Sequence, residues 1–348
     1  MRTLILFSLF AFISHLGIGA SFQPPALTKT VEKEFEVDGE ARIEVLNSFG
    51  EVRIASWDEP RVWVKVEIST TSDRESRAQQ MLDDINIDFS QSNYRLLMKT
   101  DIDINTKGDE KFEVNYEVKV PDPNKLKIGN SFGDVVVDDR REEVEIDLAY
   151  GDVKTGRLSG GGEIRIAFGS GHIAMLREGT LSLQHAEHFI VEEATTMELS
   201  QEYSEIEIVQ VRELDMSGRF GAITIGSADV IEGELQFTGF NLETLSGALK
   251  VDCKHTSDFT VDNVLSSFSL IDIDGYFGSY DIDLEDGLSA DFEGKFQYSE
   301  LRSQGVDIDF SRKITEKNER EYRARIGKGD ESKVIRIYSA HGDLRLTQ

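Results

Sequence analysis

Apolar and charged residues trade places along most of this chain with a period of two. Arg42-Ile43-Glu44-Val45-Leu46, Val144-Glu145-Ile146-Asp147-Leu148 and Glu205-Ile206-Glu207-Ile208 carry the pattern. Such alternation sends successive side chains to opposite faces of a strand, one set into a core and the other into water. Longer strands are predicted over residues 62–69, 94–100 and 112–120. Helical spacing occurs at one place: Ser72-Asp73 can cap a segment running to about Asp84, with Ala78, Met81 and Leu82 on one side. The predicted class is all-β.

An aromatic residue followed by Gly or another small residue recurs within this alternation. Phe49-Gly50, Phe132-Gly133, Tyr150-Gly151, Phe168-Gly169, Phe220-Gly221 and Phe277-Gly278 are full copies. Tyr203-Ser204, Phe237-Thr238 and Tyr298-Ser299 vary the second place, and His185-Ala186 and His255-Thr256 vary both. From Phe132 to Tyr298 the successive steps are 18, 18, 17, 18, 17, 17, 18, 22 and 21. A step this short has no room for a crossover helix. It suits one coil of two or three short strands, each coil paired in parallel with the next about 4.8 Å away. The expected fold is a single-chain parallel β-solenoid with an N-terminal antiparallel lobe bearing the short helix and a C-terminal hairpin cap.

The expected divisions are a leader over 1–20, the lobe and first coil over 21–128, the repeats over 129–304, and a hairpin with a closing coil over 305–348. Segments 306–310 and 334–338 are expected to form that hairpin around the charged stretch 312–325, and His341-Gly342 to end the stack. At each corner Gly is expected to take the positive φ, while the aromatic stacks on its equivalent in the next coil and fills the core. A sugar-stacking platform is the alternative use of the same rings.

The N-terminus adds a destination. Met1-Arg2 gives a positive start, residues 4–20 are apolar apart from Ser8, Ser14 and His15, and Gly19-Ala20 supplies small residues for a peptidase. This is the pattern of a secretory signal peptide. The expectation is export to the periplasm or cell surface of a bacterium, with no later segment apolar enough to span a membrane. Charge narrows the partners. With 38 Lys+Arg against 65 Asp+Glu, the net charge of −27 disfavours nucleic acid and anionic lipid. Acids on outward strand positions also oppose edge pairing. Cys253 is the one cysteine, so no internal disulfide forms; its alternation with Val251 predicts an inward side chain.

Asn47-Ser48-Phe49-Gly50-Glu51-Val52-Arg53-Ile54, followed by Trp57-Asp58 and Val62-Trp63-Val64, resembles the opening of the bacterial putative-adhesin β-strand-repeat family of unknown function. Val118-Lys119-Val120-Pro121 and Leu126-Lys127-Ile128-Gly129-Asn130-Ser131-Phe132-Gly133-Asp134-Val135 are similar to its second hallmark. The resemblance covers most of the chain after the leader. It implies an envelope protein and brings no catalytic residues to carry over.

Candidate chemistry is sparse. His172, His185, His188, His255 and His341 form no His-Glu-x-x-His run, and the spacing of His185 and His188 puts them on opposite faces of a strand. Asp272, Asp274, Asp281 and Asp283 place same-face carboxylates close together and are the calcium candidates; a solvated acidic face is the other reading. The run from Asp281 has its Gly one place later than an EF-hand loop needs. Polysaccharide-cleaving β-helices build convergent carboxylates between long loops, and these coils are too short for such loops. The expected function is therefore non-catalytic and adhesin-like or structural, without a cofactor, with an envelope protein or glycan as partner. The alternative is a glycan-binding or glycan-cleaving β-helix protein.

Overall fold

The computed structural model of the protein describes residues 26–348 apart from Ser257, so the predicted leader lies outside the described residues. The chain divides into two compact units, one ending at Gly160 and one beginning at Gly161. The division expected between 128 and 129 falls inside the first.

Unit 1 runs β1 (Ala26–Glu36), β2 (Arg42–Leu46), β3 (Val52–Trp57), β4 (Arg61–Thr71), α1 (Glu75–Asp83), β5 (Ile85–Ser92), β6 (Arg95–Ile102), β7 (Lys111–Pro121), β8 (Leu126–Ser131), β9 (Val135–Val137), β10 (Val144–Ala149) and β11 (Val153–Leu158). Strict alternation buries Val62, Val64, Val66 and Ile68 of β4 completely. The lobe is antiparallel, with β4 between β1 and β7, and β5 against β6. Helix α1 buries Ala78, Met81 and Leu82, as its spacing predicts. Its N-cap is Arg74 rather than Ser72 or Asp73, and Ser72 Oγ accepts a bond from the Arg74 N–H at 3.4 Å.

Parallel pairing begins at β2, which lies between β6 and β8, while β3 lies between β7 and β9. Leu126 faces Val144 and Val135 faces Val153, the same offset as the step from Phe132 to Tyr150. Charges alternate across the outer face of these strands. Arg95 holds Glu44 at 2.6 Å, and Lys127 and Arg42 both reach the carboxylate of Glu145. The Lys127 hydrogen bond, then the charges of Lys127 and Arg42, hold the Glu145 carboxyl below the usual 4.5, against some burial. A depressed carboxyl stabilises the fold above its unfolded-state pKa and loses that effect as pH falls through the folded-state value. Glu145→Gln is thus expected to lower the urea midpoint of unit 1 at pH 7. The two midpoints should converge on the acid side of pH 4.5; a gap that persists there would assign the loss to packing instead.

Unit 2 begins with β12 (Gly162–Ala167), β13 (Gly171–Gln184) and β14 (Phe189–Lys254). Strand pairing along β14 is unbroken for 66 residues, yet Tyr203, Phe220 and Phe237 interrupt it with positive φ. The run turns at these points, and rings of successive marks stack on one another. Then follow β15 (Phe259–Val264), β16 (Leu270–Tyr276), β17 (Tyr280–Leu284), β18 (Ala290–Gln297), β19 (Leu301–Gln304), β20 (Ile308–Glu316), β21 (Glu319–Ile326), β22 (Val334–Ala340) and β23 (Leu344–Thr347). The pairs β12–β13, β13–β14, β14–β15, β14–β16 and β15–β17 are all parallel. The two widened steps, from His255 to Phe277 and from Phe277 to Tyr298, hold extra turns around Phe268 and Leu288. Both side chains are buried and fill the widened corner.

The far end of unit 2 departs from expectation. Segment 334–338 does not pair with 306–310. The hairpin is instead β20 with β21, closed at Lys317-Asn318, where Lys317 takes φ 48°. Strand β22 pairs in parallel with β16 on one side and β18 on the other, and β23 likewise lies between β17 and β19. The chain leaves one layer empty, builds the next, and fills the gap with its last strands. His341 therefore does not end the stack: its ring lies 4.7 Å from Phe277 and 4.8 Å from Tyr298.

The chain is thus all-β with one helix among the described residues, but its pairing is mixed rather than purely parallel. Parallel layers leave a row of unpaired N–H and C=O groups at an open end. The antiparallel strands of the lobe cover the row at one end, and β21 with β20 covers the outer side of β18 at the other. Strand β20 carries a register shift between Phe310 and Arg312 and displays Arg312 and Lys313, features that discourage further pairing.

Candidate functional site

The aromatic–small marks define the most distinctive surface, and the backbone explains why. All twelve marked residues, from Phe49 to His341, have φ between 51 and 63°. The aromatic takes the left-handed conformation at every mark; of the glycines expected to do so, Gly50 and Gly221 have positive φ as well, at 152 and 151°. A left-handed non-Gly residue costs about 1–2 kcal/mol. Each ring recovers this by stacking on its neighbours, at about 0.5–1.5 kcal/mol per pair. Each stack is shared by two rings, so the ladder gains about one pair energy per corner, which offsets much of the strain.

The glycine has a different reason. A Cβ on Gly133 would run into the carbonyl oxygen of Gly50, and one on Gly342 into that of Gly278. Successive corners approach too closely for a side chain aimed at the next layer. At Ser204, Thr238 and Ser299 the hydroxyl bridges the corner: Ser204 Oγ donates to Glu202 O at 2.9 Å, Thr238 Oγ1 to Gln236 O at 3.0 Å and Ser299 Oγ to Gln297 O at 3.1 Å. In unit 1 the buried Asn two places before the aromatic closes the corner. Asn130 Nδ2 donates to Gly50 O at 2.9 Å and Gly133 O at 2.8 Å, which accounts for the repeated Asn-Ser-Phe-Gly.

The rings themselves lie outside the core. Exposure of the Phe and Tyr rings runs from 36% at Phe220 to 56% at Tyr298, so the expected core-filling role is corrected. In unit 2 the order is Phe168, His185, Tyr203, Phe220, Phe237, His255, Phe277, His341 and Tyr298, with centroids 4.6–5.0 Å apart and planes within 15°. In unit 1 Phe49, Phe132 and Tyr150 form a similar stack. The spacing is that of adjacent strands, which places the rings in offset contact. Interior rings have both faces covered and present edges to solvent. They cannot offer a face to a sugar.

Phe220 gives a test of this balance. Phe220→Ala removes two stacks and keeps the left-handed strain, whereas Phe220→Gly removes the stacks and relieves the strain. The Gly variant is expected to be more stable than the Ala variant by about 1 kcal/mol in urea unfolding, the reverse of the usual order in strands. Equal or reversed stabilities would mean that strain does not matter at this corner.

Unit 1 also holds a cleft of about 500 Å³ beside its stack, lined by Phe49, Phe112 and Phe132, with Ser69, Lys111 and Glu113 among its polar groups. Phe112 is set at 61° to Phe49, with centroids 4.9 Å apart. Its ring therefore departs from the parallel stack.

The other sequence candidates do not converge. Asp272 and Asp274 lie on β16, Asp281 and Asp283 on β17. Arg336 holds Asp272 at 2.9 Å and Arg345 approaches Asp281 at 3.9 Å. Asp274 lies opposite Asp252; partial desolvation, then the charges of Asp252 and Asp272, push its carboxyl above the usual range. Among the described residues no three His, Cys, Asp or Glu side chains gather as they would around a metal ion. Cys253 is buried as predicted, and burial raises its thiol pKa, so it stays protonated and unreactive. His185 and His188 both stand at left-handed corners rather than on opposite faces of one strand. His172 pairs with Glu192 at 2.8 Å. Among the described residues no helix is long and apolar enough to cross a membrane.

Sequence reasoning missed two features. The cleft depends on Phe112, which carries no repeat mark. Arg140 is fully buried in unit 1, and its guanidinium donates to Val120 O, Pro121 O, Asp122 O and Asn124 O at 2.6–3.3 Å. In the sequence it is one of two adjacent arginines, Arg140-Arg141, in a run of charges, and nothing there tells which is buried.

No protein-family model matches the chain, and no curated protein matches it. Among solved structures it is similar to a putative cell adhesion protein from Clostridium sporogenes, at 10% identity over 92% of this chain and 100% of that one, with a TM-score of 0.22. A putative adhesin from Bacteroides fragilis matches at 9% identity over 92% and 96% of the two chains, TM-score 0.27. A putative lipid binding protein from Parabacteroides distasonis matches at 10% identity over 92% and 97%, TM-score 0.25.

Proposed function

We propose that this chain is an exported, non-catalytic envelope protein that binds a partner through β-solenoid surfaces, in the manner of an adhesin. The observation that carries the reading is the line of aromatic edges kept in water by strained corners. A stack serving stability alone gains more when buried, since each exposed ring forgoes part of its burial free energy. The parallel pairing of one coil with the next and the left-handed corners support the solenoid reading of the repeats. The apolar stretch over residues 4–20 supports export to the periplasm or cell surface. The histidines support a non-catalytic role, since His185, His255 and His341 are ring-stacked elements of the ladder. The net charge of −27 argues against nucleic acid as the partner.

The test is retention of envelope components by the immobilised mature protein. A triple variant, Tyr203→Ser with Phe220→Ser and Phe237→Ser, is the comparison, with its folding checked by circular dichroism. Selective loss of a retained component in the folded variant supports the reading. Identical retention by both proteins, or release of soluble fragments from envelope polysaccharide, overturns it.

A further inference from the structure

One long strand edge of unit 1 is left open. Strand β1 pairs with β4 over all eleven of its residues, and among the described residues no strand pairs with its other side. Val37 N–H donates to Pro60 O at 3.4 Å in the same register, so the odd-numbered residues of β1 bond to β4. The N–H and C=O groups of Ala26, Thr28, Thr30, Glu32 and Glu34 therefore point away from the sheet. Such an edge is a template for another strand unless it is blunted. In unit 2, β20 is blunted by its register shift and its cations, and β19 by its length of four residues. Strand β1 has neither device: its pairing is regular and no Pro interrupts it. Its inward lysines are engaged elsewhere. Lys29 Nζ donates to Ile85 O at 3.5 Å, and Lys33 Nζ lies 4.1 Å from the Phe89 ring centroid.

The edge also keeps apolar surface in reach of water. Val62, Val64, Val66 and Ile68 of β4 are fully buried, but Leu27, Val31 and Phe35 on the same face of β1 are only half-buried. A further strand would cover part of the remainder, at about 25 cal/mol for each Å² removed from water. On the opposite face Glu32 accepts from Trp63 Nε1 at 2.8 Å, and Glu34 pairs with Arg61 at 3.7 Å. Both acids are thus held toward β4 rather than across the edge.

The limits of the free run identify what fits it. Pro24 and Pro25 precede β1 and have no N–H to offer, while Glu36 O already accepts from Gln91 Nε2 at 2.6 Å. The run left open, Ala26 to Glu34, has Thr30 at its middle. Two such runs, antiparallel about a two-fold axis through Thr30, use the whole of both edges. On one face Thr30 meets its own copy, Thr28 meets Glu32 and Ala26 meets Glu34. On the other, Lys29 meets Val31 and Leu27 meets Lys33. No like charges stand opposite. An axis through Val31 would set Lys29 against Lys33, and one through Glu32 would set Glu32 against its own copy, both unfavourable.

We infer that β1 is a homodimer interface, at which a second copy of this chain adds its own β1 antiparallel across Thr30. The pairing supplies about ten backbone hydrogen bonds and joins the two sheets into one. It goes beyond the binding role proposed above and does not depend on it.

Sedimentation velocity of the full mature chain, across micromolar to submillimolar concentrations, should show a reversible monomer–dimer equilibrium. Thr30→Pro removes the central outward N–H without removing a bond to β4, and should leave a monomer with unchanged circular dichroism. Thr30→Glu and Thr30→Lys should each weaken self-association at least about tenfold, and an equimolar mixture of the two should recover it. Thr30→Cys should give a disulfide-linked dimer on mild oxidation, since the paired Cα atoms would lie about 5.5 Å apart. Thr28→Cys should not, because its copy would lie four residues along the strand, about 13 Å or more away. Cys253 is buried and stays out of the reaction. A monomer at every concentration, a dimer indifferent to Thr30→Pro and to both charged variants, or equal cross-linking at both positions overturns the interface. Retention of an envelope component by a monomeric chain would leave the role of the ladder standing.

Discussion

Removal of residues 334–348 is expected to unfold the C-terminal half of unit 2, not to fray its end. Strands β22 and β23 occupy an interior layer, each paired on both sides. Their loss leaves facing ladders of unpaired backbone on β16 and β18, and on β17 and β19. Ile335, Ile337, Leu344 and Leu346 are buried to within 1%. At about 1.5–3 kcal/mol for each side chain, four of them account for roughly 6–12 kcal/mol. That is comparable to the whole stability of an ordinary domain, about 5–15 kcal/mol. Amide hydrogen exchange gives the readout: protection in β16–β19 should fall to the level of exposed loops. A synthetic peptide of residues 334–348 should restore part of it. Unchanged protection in the truncated chain would show that the inserted layer is dispensable.

Replacing Arg140 is the second large effect. Its Nη1 and Nη2 satisfy four carbonyls at the end of β7 and the turn after it, and Nη1 also reaches the Ser56 hydroxyl at 3.1 Å. Burial is the main influence on its pKa and lowers it, with Asp122 and Glu142 opposing. The cation is held chiefly by oriented carbonyl dipoles rather than by a bonded carboxylate, since Asp122 is engaged by Arg141 at 3.1 Å. Arg140→Met keeps the length but orphans these acceptors, at about 1–3 kcal/mol for each one left dry. With water reaching some of them, a loss of about 3–5 kcal/mol in urea unfolding is expected. Arg140→Lys should recover little, because an ammonium cannot span the same acceptors as the guanidinium fork. A Lys variant as stable as the parent would refute the role assigned to the fork.

The sequence made the period legible because each corner repeats one local requirement, and the twelve marks all occupy equivalent corners. It did not reveal which member of the pair carries the strain. Phe and Gly are adjacent at each full mark, and positive φ normally belongs to Gly. Ring stacking across layers sets the aromatic there as well, and a contact made a whole repeat away leaves no trace in local propensity. Layer order was equally hidden. Periodicity shows that residues 280 and 344 belong to similar strands, but not that Leu344 pairs with both Tyr280 and Leu301. The alternating pattern of segment 334–338 fits either a hairpin or an inserted parallel strand. The cleft escaped notice because Phe112 and Lys111 belong to a lobe strand without the repeat, and their approach to Phe49 follows from β7 pairing with β3 and β4.

The equal corners also govern how this chain can change length over generations. In the central part of unit 2, residues one repeat apart hold equivalent places and contact their immediate neighbours. Loss or duplication of one such block joins like to like, and shortens or lengthens the ladder by one ring-on-ring contact. Loss of part of a repeat would set a corner against a strand, and an odd number of lost residues would turn inward positions outward. The inserted layer at the C-terminal end imposes an opposite rule, since β22 must match both β16 and β18, and β23 both β17 and β19. Growth is therefore modular in the middle and closed at that end: descendants should differ by whole repeats between Phe168 and His255, while keeping the strands β16–β19, β22 and β23 intact.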